Sequence, residues 1–483
     1  MASAIDTQGL TTGILAALMT ATLIWCGTGL EPFWLFTWFA PLPVLLFAAE
    51  TSWWAAALAA FFGMTLGLLN LWGLFYGALH APLGIVVRIY AIEGIVFALA
   101  VLLWRALLKR GAHWSAALAF PALLVSFEWL MNLTSPHGTG GSLAYSQLAF
   151  LPFLQLASLT GPWGMSFLLL LFPAALAIGW QLRDTARKQV YRVVGVTVAV
   201  LAAVLVFGAV RLMLPPPAGS MVKVGLATSD TQANEDVADD GAPTAQLFQA
   251  YSEQIGGLAA QGAQLVVIPE KLGVSVVPSQ DADGILQNAV DRSGVMLVAG
   301  LISVVPPLKY NEARVYRPHA PVLHYDKEHM LPPFESNLTP GTDLLTLQQS
   351  SALWGVEICK DMDFTQLARS YGKQGVGLML VPGWDFFLDY IQHGHMAIMR
   401  GVESGFGVVR AAKGGSLFVS DNRGRILAEV KGDSAPFTTL VADVPAAHDR
   451  TLFLLLGDWF AWVALALLAL SLVQLARRWR SVG

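Results

Sequence analysis

Long apolar stretches limit what this chain can fold into more than any other feature of it. A helix needs roughly 17 to 25 largely apolar residues to cross a hydrocarbon core. Such windows fall near residues 10–28, 32–49, 53–79, 84–108, 114–131, 162–182 and 193–214, with an eighth at 452–475. Inside lipid a backbone must satisfy its own hydrogen bonds, so these stretches read as helices. An α-helical polytopic membrane domain of about eight transmembrane helices is therefore expected. Across 483 residues, 55% are hydrophobic and 13% charged, which excludes an ordinary soluble protein. The net charge of −4 and the scattered Lys and Arg residues argue against a nucleic-acid partner. No charged, cleavable leader precedes the first stretch, so it reads as an uncleaved anchor.

Positive charge in the short loops sets the orientation. Arg105, Lys109 and Arg110 follow the fourth stretch, Arg183, Arg187, Lys188 and Arg192 the sixth, and Arg477, Arg478 and Arg480 the eighth, whereas 132–160 holds no Lys or Arg. Basic ends belong on the cytoplasmic side. After seven crossings the polar region then emerges on the periplasmic or outer face of a bacterial inner membrane; Arg88, at the outer start of the fourth stretch, disagrees mildly. The run Pro215 to Gly219 ends the seventh stretch. The expected organisation is a seven-helix membrane domain over 1–214, a polar domain over 220–446 and a last transmembrane helix over 452–476. Cys26 falls in an apolar stretch and Cys359 in the polar region, so both thiols are expected free.

Within the polar region short β-rich runs, "VKVGLAT" (222–228), "QLVVIP" (264–269), "VMLVAGL" (295–301) and "VGLMLV" (376–381), alternate with helical patterns at 244–261, 282–292, 364–374 and 390–403. That alternation predicts one α/β domain. Three polar residues each follow a strand-like run: Glu270 after "QLVVIP", Lys327 after "PVLHYD" and Cys359 after "LWGVEI". Strand ends are where α/β folds gather reacting groups. A thiol becomes a nucleophile when a base removes its proton or a positive charge holds the thiolate. Glu270 can be that base, and Lys327 can hold the thiolate and then the oxyanion of a tetrahedral intermediate. The bland alternatives are a buried apolar Cys, a solvated Glu and a surface Lys.

The order Glu, Lys, Cys, within "VVIPEK", "YDKEHMLPPFE" and "EICKDMDF", resembles the carbon-nitrogen hydrolase (nitrilase) superfamily. With seven spans before and one after, the whole chain resembles the bacterial apolipoprotein N-acyltransferase family, and "QHGHMAIMRGVESGFGVVRAA" (392–412) adds to the likeness. The resemblance implies a nitrilase-like α-β-β-α sandwich beside the membrane. It implies Glu270 as general base, Lys327 as thiolate and oxyanion partner, Cys359 as nucleophile and Glu335 as supporting glutamate. It also implies a ping-pong reaction. A phospholipid would donate an acyl chain to Cys359 as a thioester, and the N-terminal amine of a diacylglyceryl-cysteine lipoprotein would take it as an amide. No cofactor is implied. The chain departs from the family's usual pattern at Lys360 and Asp361, where Tyr and Glu are common, at Gly383, Trp384 and Asp385, and at Lys413, Gly414 and Gly415. A membrane-tethered amidase-like hydrolase, or an acyltransferase with a different acceptor, is the alternative. A transporter with an outer domain is a third reading; the spans carry few charges, Arg88, Glu93 and Glu128 among them.

Trp384, Phe386 and Lys360 are candidates to line the substrate site. The aromatics Trp25, Phe33, Trp34, Phe36, Trp38 and Phe39 read first as interfacial anchors and second as the border of a lipid route. Glu357 lies two residues before Cys359, on the same face of a strand, with a structural role as plausible as a catalytic one. His393 and His395 lie two apart on a helix, off a common face, so no metal is assigned. Glu128 and His137 are polar groups at or near the membrane, candidates for function or for tying helices together. A monomer is expected.

Overall fold

The structure is a computed structural model and describes residues 7–215, 220–229, 237–276, 281–389, 391–432 and 435–480. The chain divides into two compact units, one from Met1–Leu133, Gly141–Arg211 and Asp458–Gly483, the other from Thr134–Gly140 and Leu212–Gly457.

Seven helices among the described residues are long and apolar enough to cross a membrane: Gln8–Gly27, Trp53–Leu71, Leu83–Lys109, His113–Thr134, Ala157–Leu182, Arg187–Met213 and Trp459–Arg478. The stretch expected to cross at 32–49 is shorter apolar helix, broken into Trp34–Thr37 and Leu42–Glu50. Pro41 and Pro43 sit at the break. Proline lacks the N–H that would continue a helix through it but is tolerated in a first turn. The stretch expected over 53–79 likewise gives way after Gly67 to single turns, Leu68–Leu71 and Gly73–Ala78.

Small residues let these helices close on one another. A Cβ on Gly63 would sit 3.0 Å from Thr20 Cγ2, and one on Gly67 would sit 2.6 Å from Ile24 Cβ, so the Gly63-to-Gly67 turn must stay bare against the first helix. Helix Ala157–Leu182 is the centre of the unit, with 72% of its apolar window buried against 17% for Trp459–Arg478. At one end of the unit the Arg478 guanidinium donates to the carbonyl of Arg110, and Arg105 donates to the carbonyl of Thr51.

In the second unit two sheets form. One runs in the order Phe437–Ala446, Ser220–Ser229, Leu265–Val267, Met296–Val305, Leu308–Tyr316, Leu323–Asp326, with Val274–Val276 also paired to Met296–Val305. The other runs Ile426–Lys431, Ser416–Ser420, Gly407–Lys413, Val376–Trp384, Leu353–Val356, Leu345–Gln348. Alternation along each strand sends every second side chain to the opposite face. Val224, Leu226, Leu265, Val267 and Val298 thus meet Val356, Leu378, Leu380, Val409 and Val419 in one core between the sheets. Val266, Ile268, Leu297 and Ala299 face outward onto Phe248, Tyr251, Ile255 and Leu286 of helices Ala242–Ala260 and Asp281–Ser293. Met379, Val381 and Val408 face Leu367, Ala368 and Ile398 of helices Thr365–Lys373 and Gln392–Ser404. The four layers are those of an α-β-β-α sandwich, and each helix lies within three residues of its expected bounds.

Candidate active site

Each candidate side chain sits where a strand stops. Glu270 follows Leu265–Val267, Lys327 follows Leu323–Asp326, and Cys359 follows Leu353–Val356. All three are buried, at 1%, 2% and 4% exposure. Buried charges persist only when paired, and these are. Lys327 Nζ donates to Glu270 Oε1 at 2.9 Å and to Glu335 Oε1 and Oε2 at 3.1 and 2.9 Å. Asn311 Nδ2, from the neighbouring strand, donates to Glu270 Oε1 at 2.6 Å and to Glu335 Oε1 at 2.8 Å. Glu335 also accepts from Lys271 Nζ at 2.6 Å and from the Leu331 N–H at 2.8 Å.

The electrostatics follow from these contacts. Burial alone would raise the Glu335 carboxyl, but the ammonium groups of Lys327 and Lys271 pull it down to about 2. Burial likewise works against the Lys327 charge, yet Glu270, Glu335, Cys359 and Asp361 together push its pKa well above the ordinary lysine value. Lys327 therefore stays an ammonium with the Cys359 sulfur in its field.

Cys359 opens a one-turn helix, Cys359–Asp363, with a left-handed φ of +44°. That region is costly for a residue with a Cβ and holds only where the surroundings impose it. Asp361 supplies much of the restraint. It accepts from Tyr325 Oη at 2.8 Å, the His329 N–H at 2.8 Å and the Ile358 N–H at 3.3 Å, tying the strand that precedes Lys327 to the turn that carries the sulfur. The thiol is 3.4 Å from the Trp384 carbonyl and 3.7 Å from Arg410 Nη2.

Arg410, Asp385 and His393 form a second cluster that sequence reasoning did not assemble. Arg410 holds Asp385 with two bonds, Nη1 to Oδ2 at 2.7 Å and Nη2 to Oδ1 at 2.6 Å. His393 reaches Asp385 Oδ1 through Nδ1 at 2.8 Å and Asp363 Oδ1 through Nε2 at 3.4 Å. Burial lowers the imidazole pKa, but Asp363 and Cys359 raise it well above its usual value. Potential ligand atoms of Cys359, Asp385 and His393 lie within 4.8 Å of one another. Arg410 occupies both Asp385 oxygens and carboxylates face both His393 nitrogens, so the lone pairs a metal needs are engaged. The visible signal in the sequence was an Arg inside a strand-like run and a His in a helical one, without any spacing that joined them.

The remaining candidates are placed as follows. Trp384 has Lys413 Nζ 3.6 Å and Lys271 Nζ 4.7 Å from its ring centroid. Phe386 packs 5.6 Å from Phe334, next to exposed Phe387 and Leu388. Lys360 is buried, its Nζ 3.5 Å from Asp363 Oδ2 and 3.3 Å from His137 Nδ1. Glu357 is fully buried, and among the described residues neither carboxyl oxygen has a hydrogen-bond partner. Burial, and then the neighbouring Asp361, raise its pKa well above the usual range.

Fold and site define a class: a multi-pass membrane protein carrying a carbon-nitrogen hydrolase domain. Residues 228–448 match the carbon-nitrogen hydrolase family, and residues 13–175 match the apolipoprotein N-acyltransferase N-terminal domain. An apolipoprotein N-acyltransferase of Geobacter metallireducens is 27% identical over 398 residues, covering 74% of each chain. One of Bradyrhizobium diazoefficiens is 28% identical over 441 residues, covering 82% of this chain and 79% of its own. Among solved structures, an amidase from Nesterenkonia sp. is 23% identical and covers 48% of this chain and 93% of its own at a TM-score of 0.41. The chain thus carries both matched domains and is similar to apolipoprotein N-acyltransferases over most of its length.

Proposed function

We propose that this protein moves a fatty acyl chain from a phospholipid, through a thioester on Cys359, to the N-terminal amine of a diacylglyceryl-cysteine lipoprotein. The observation that carries the reading is Lys327: one buried ammonium bonded to both Glu270 and Glu335 and acting electrostatically on Cys359. Glu270 takes the thiol proton, and the thiolate attacks the ester carbonyl. Lys327 stabilises the resulting oxyanion. When the C–O bond breaks, the proton on Glu270 passes to the departing lysophospholipid oxygen. The acceptor amine then attacks the thioester carbonyl, loses its proton to Glu270 and expels the Cys359 thiolate, which closes a two-step ping-pong cycle. Glu335 holds Lys327 in place. The exposed apolar side chains Phe334, Phe387 and Leu388 beside Phe386 suit a lipid-borne substrate.

Sidedness follows from the basic ends. Helix Leu83–Lys109 ends, His113–Thr134 begins, Ala157–Leu182 ends and Trp459–Arg480 ends among Lys and Arg, and the Arg478-to-Arg110 contact brings two of these ends together. With those ends cytoplasmic, residues 212–457 lie on the periplasmic side of a bacterial inner membrane whether or not Trp34–Glu50 crosses it.

Intact-mass analysis tests the reading. Incubation with phospholipid is expected to add an acyl-sized mass at Cys359 that is lost when a diacylated lipopeptide is supplied, and Cys359→Ala is expected to show neither event. Loss of the adduct to water at the same rate without lipopeptide would make the protein a hydrolase, and transfer by Cys359→Ala would end the thioester route.

A further inference from the structure

We propose that residues 137–139 are a positioning element for the nucleophile, supplied by a stretch of chain that runs between two membrane helices; this rests on Cys359 being the acyl carrier. Thr134–Gly140 folds as part of the second unit, although in sequence it leaves helix His113–Thr134 and leads toward Ala157–Leu182. Its contacts converge on the one-turn helix that carries the sulfur. Thr139 directs two donors at a single acceptor: its N–H and its Oγ1 reach the Asp363 carbonyl oxygen at 3.0 and 2.7 Å. Asp363 ends the turn that Cys359 begins. The Thr139 hydroxyl also accepts from Arg400 Nη1 at 3.3 Å, and Arg400 is itself bonded to Glu403 at 2.9 Å.

Gly138 makes the approach possible. Its φ is +50°, and a Cβ there would stand 2.6 Å from the Asp363 oxygen and 3.1 Å from its carbonyl carbon, so a larger residue is excluded both by backbone and by space. At the other end of the turn His137 Nδ1 lies 3.3 Å from Lys360 Nζ, one residue past the sulfur. Partial burial, and then the Lys360 charge, lower the His137 pKa. Three consecutive residues therefore hold both ends of the turn.

The held carbonyl belongs to a residue whose side chain matters to the thiol. Asp363 reaches His393, His393 reaches Asp385, and Asp385 holds the Arg410 group that lies 3.7 Å from the sulfur. Shifting the Asp363 backbone would shift the cationic side of the site along this chain of contacts. Sub-ångström placement of reacting groups decides rates, and a misplacement of about 1 Å costs on the order of 10²-fold.

The test uses the full-length protein in detergent with Cys26→Ala as background, so that Cys359 is the sole thiol. Gly138→Ala and Thr139→Val are compared with Thr139→Ser, which keeps the hydroxyl. Three quantities are measured: acylation of Cys359 by phospholipid, alkylation of Cys359 by iodoacetamide across pH, and the thermal midpoint. Thr139→Val is expected to lower kcat for acylation about 10²-fold with KM for phospholipid nearly constant, and to displace the alkylation pH profile, at an unchanged midpoint, whereas Gly138→Ala is expected to lose rate with a lowered midpoint. Thr139→Ser is expected to keep most of the rate. Wild-type acylation and an unmoved alkylation profile in Thr139→Val would overturn the proposal, as would a loss that tracks a lowered midpoint and is shared by Thr139→Ser. Acyl transfer surviving Cys359→Ala would instead sink the thioester reading itself, a separate outcome from a separate variant.

Discussion

Replacing Glu335 by Gln removes one charge and almost no volume from the centre of the site. Glu335 is 1% exposed and accepts from Lys327, Lys271, Asn311 and the Leu331 N–H. Its carboxyl sits at about 2, against 4.5 for an unperturbed glutamate. At about 1.4 kcal/mol per pH unit, that gap makes the ionised form worth about 3 kcal/mol to the fold. The figure falls at the lower edge of the ~3–5 kcal/mol seen when a buried ion pair loses one partner. For a unit of this size ~1 kcal/mol moves the unfolding midpoint by ~2–4 °C, so Glu335→Gln should unfold about 6–12 °C lower at neutral pH. The sign with pH is fixed. Because the folded-state value is depressed, the stabilisation is complete above about 4.5 and disappears as pH falls toward about 2. The difference between wild type and variant should be constant from pH 8 to 5 and narrow below that. Scanning fluorimetry in detergent at several pH values measures it, with acyl transfer followed in parallel and expected to fall about 10²-fold or more as Lys327 loses a support. Midpoints within about 2 °C at neutral pH, or a difference that grows on acidification, would refute the assignment of Glu335 as a buried, ionised partner of Lys327.

Other substitutions probe the rest of the site. Lys327→Arg should leave less than about 1% of acyl transfer, since a planar guanidinium cannot sit between two carboxylates as a compact ammonium does; near-normal turnover would contradict the role given to Lys327. Arg410→Lys loses the two-bond grip on Asp385 and should slow iodoacetamide labelling of Cys359 at fixed pH, read by mass, by about tenfold or more. Asp361→Asn surrenders a charged acceptor of three bonds, including the Tyr325 hydroxyl, and should lower the thermal midpoint through a loss of about 1.5–3 kcal/mol.

Glu270, Lys327 and Cys359 were legible as candidates because each closes a strand-like run; that the first two runs lie in one sheet and the third in the other is visible only in the fold. The α/β architecture was legible because alternation and helical periodicity survive in single segments. Other features depend on contacts across the chain. Asn311 is one polar residue in a strand until Glu270 and Glu335 come from 41 and 24 positions away to meet it. His393 was set aside for its spacing to His395, yet its partners are Asp363 and Asp385. The stretch 134–140 reads as an outer loop, and nothing local marks it as a piece of the other unit. At 32–49 hydropathy outweighed Pro41 and Pro43, whose effect on helix length is local and decisive.

The left-handed backbone at Cys359 has a consequence for how such a site can diversify. Its sulfur is placed by a main-chain torsion that the Asp361 carboxylate helps to impose. A neighbour outside that restraint, such as Lys413, can then be exchanged for another chemistry while the sulfur stays where it was.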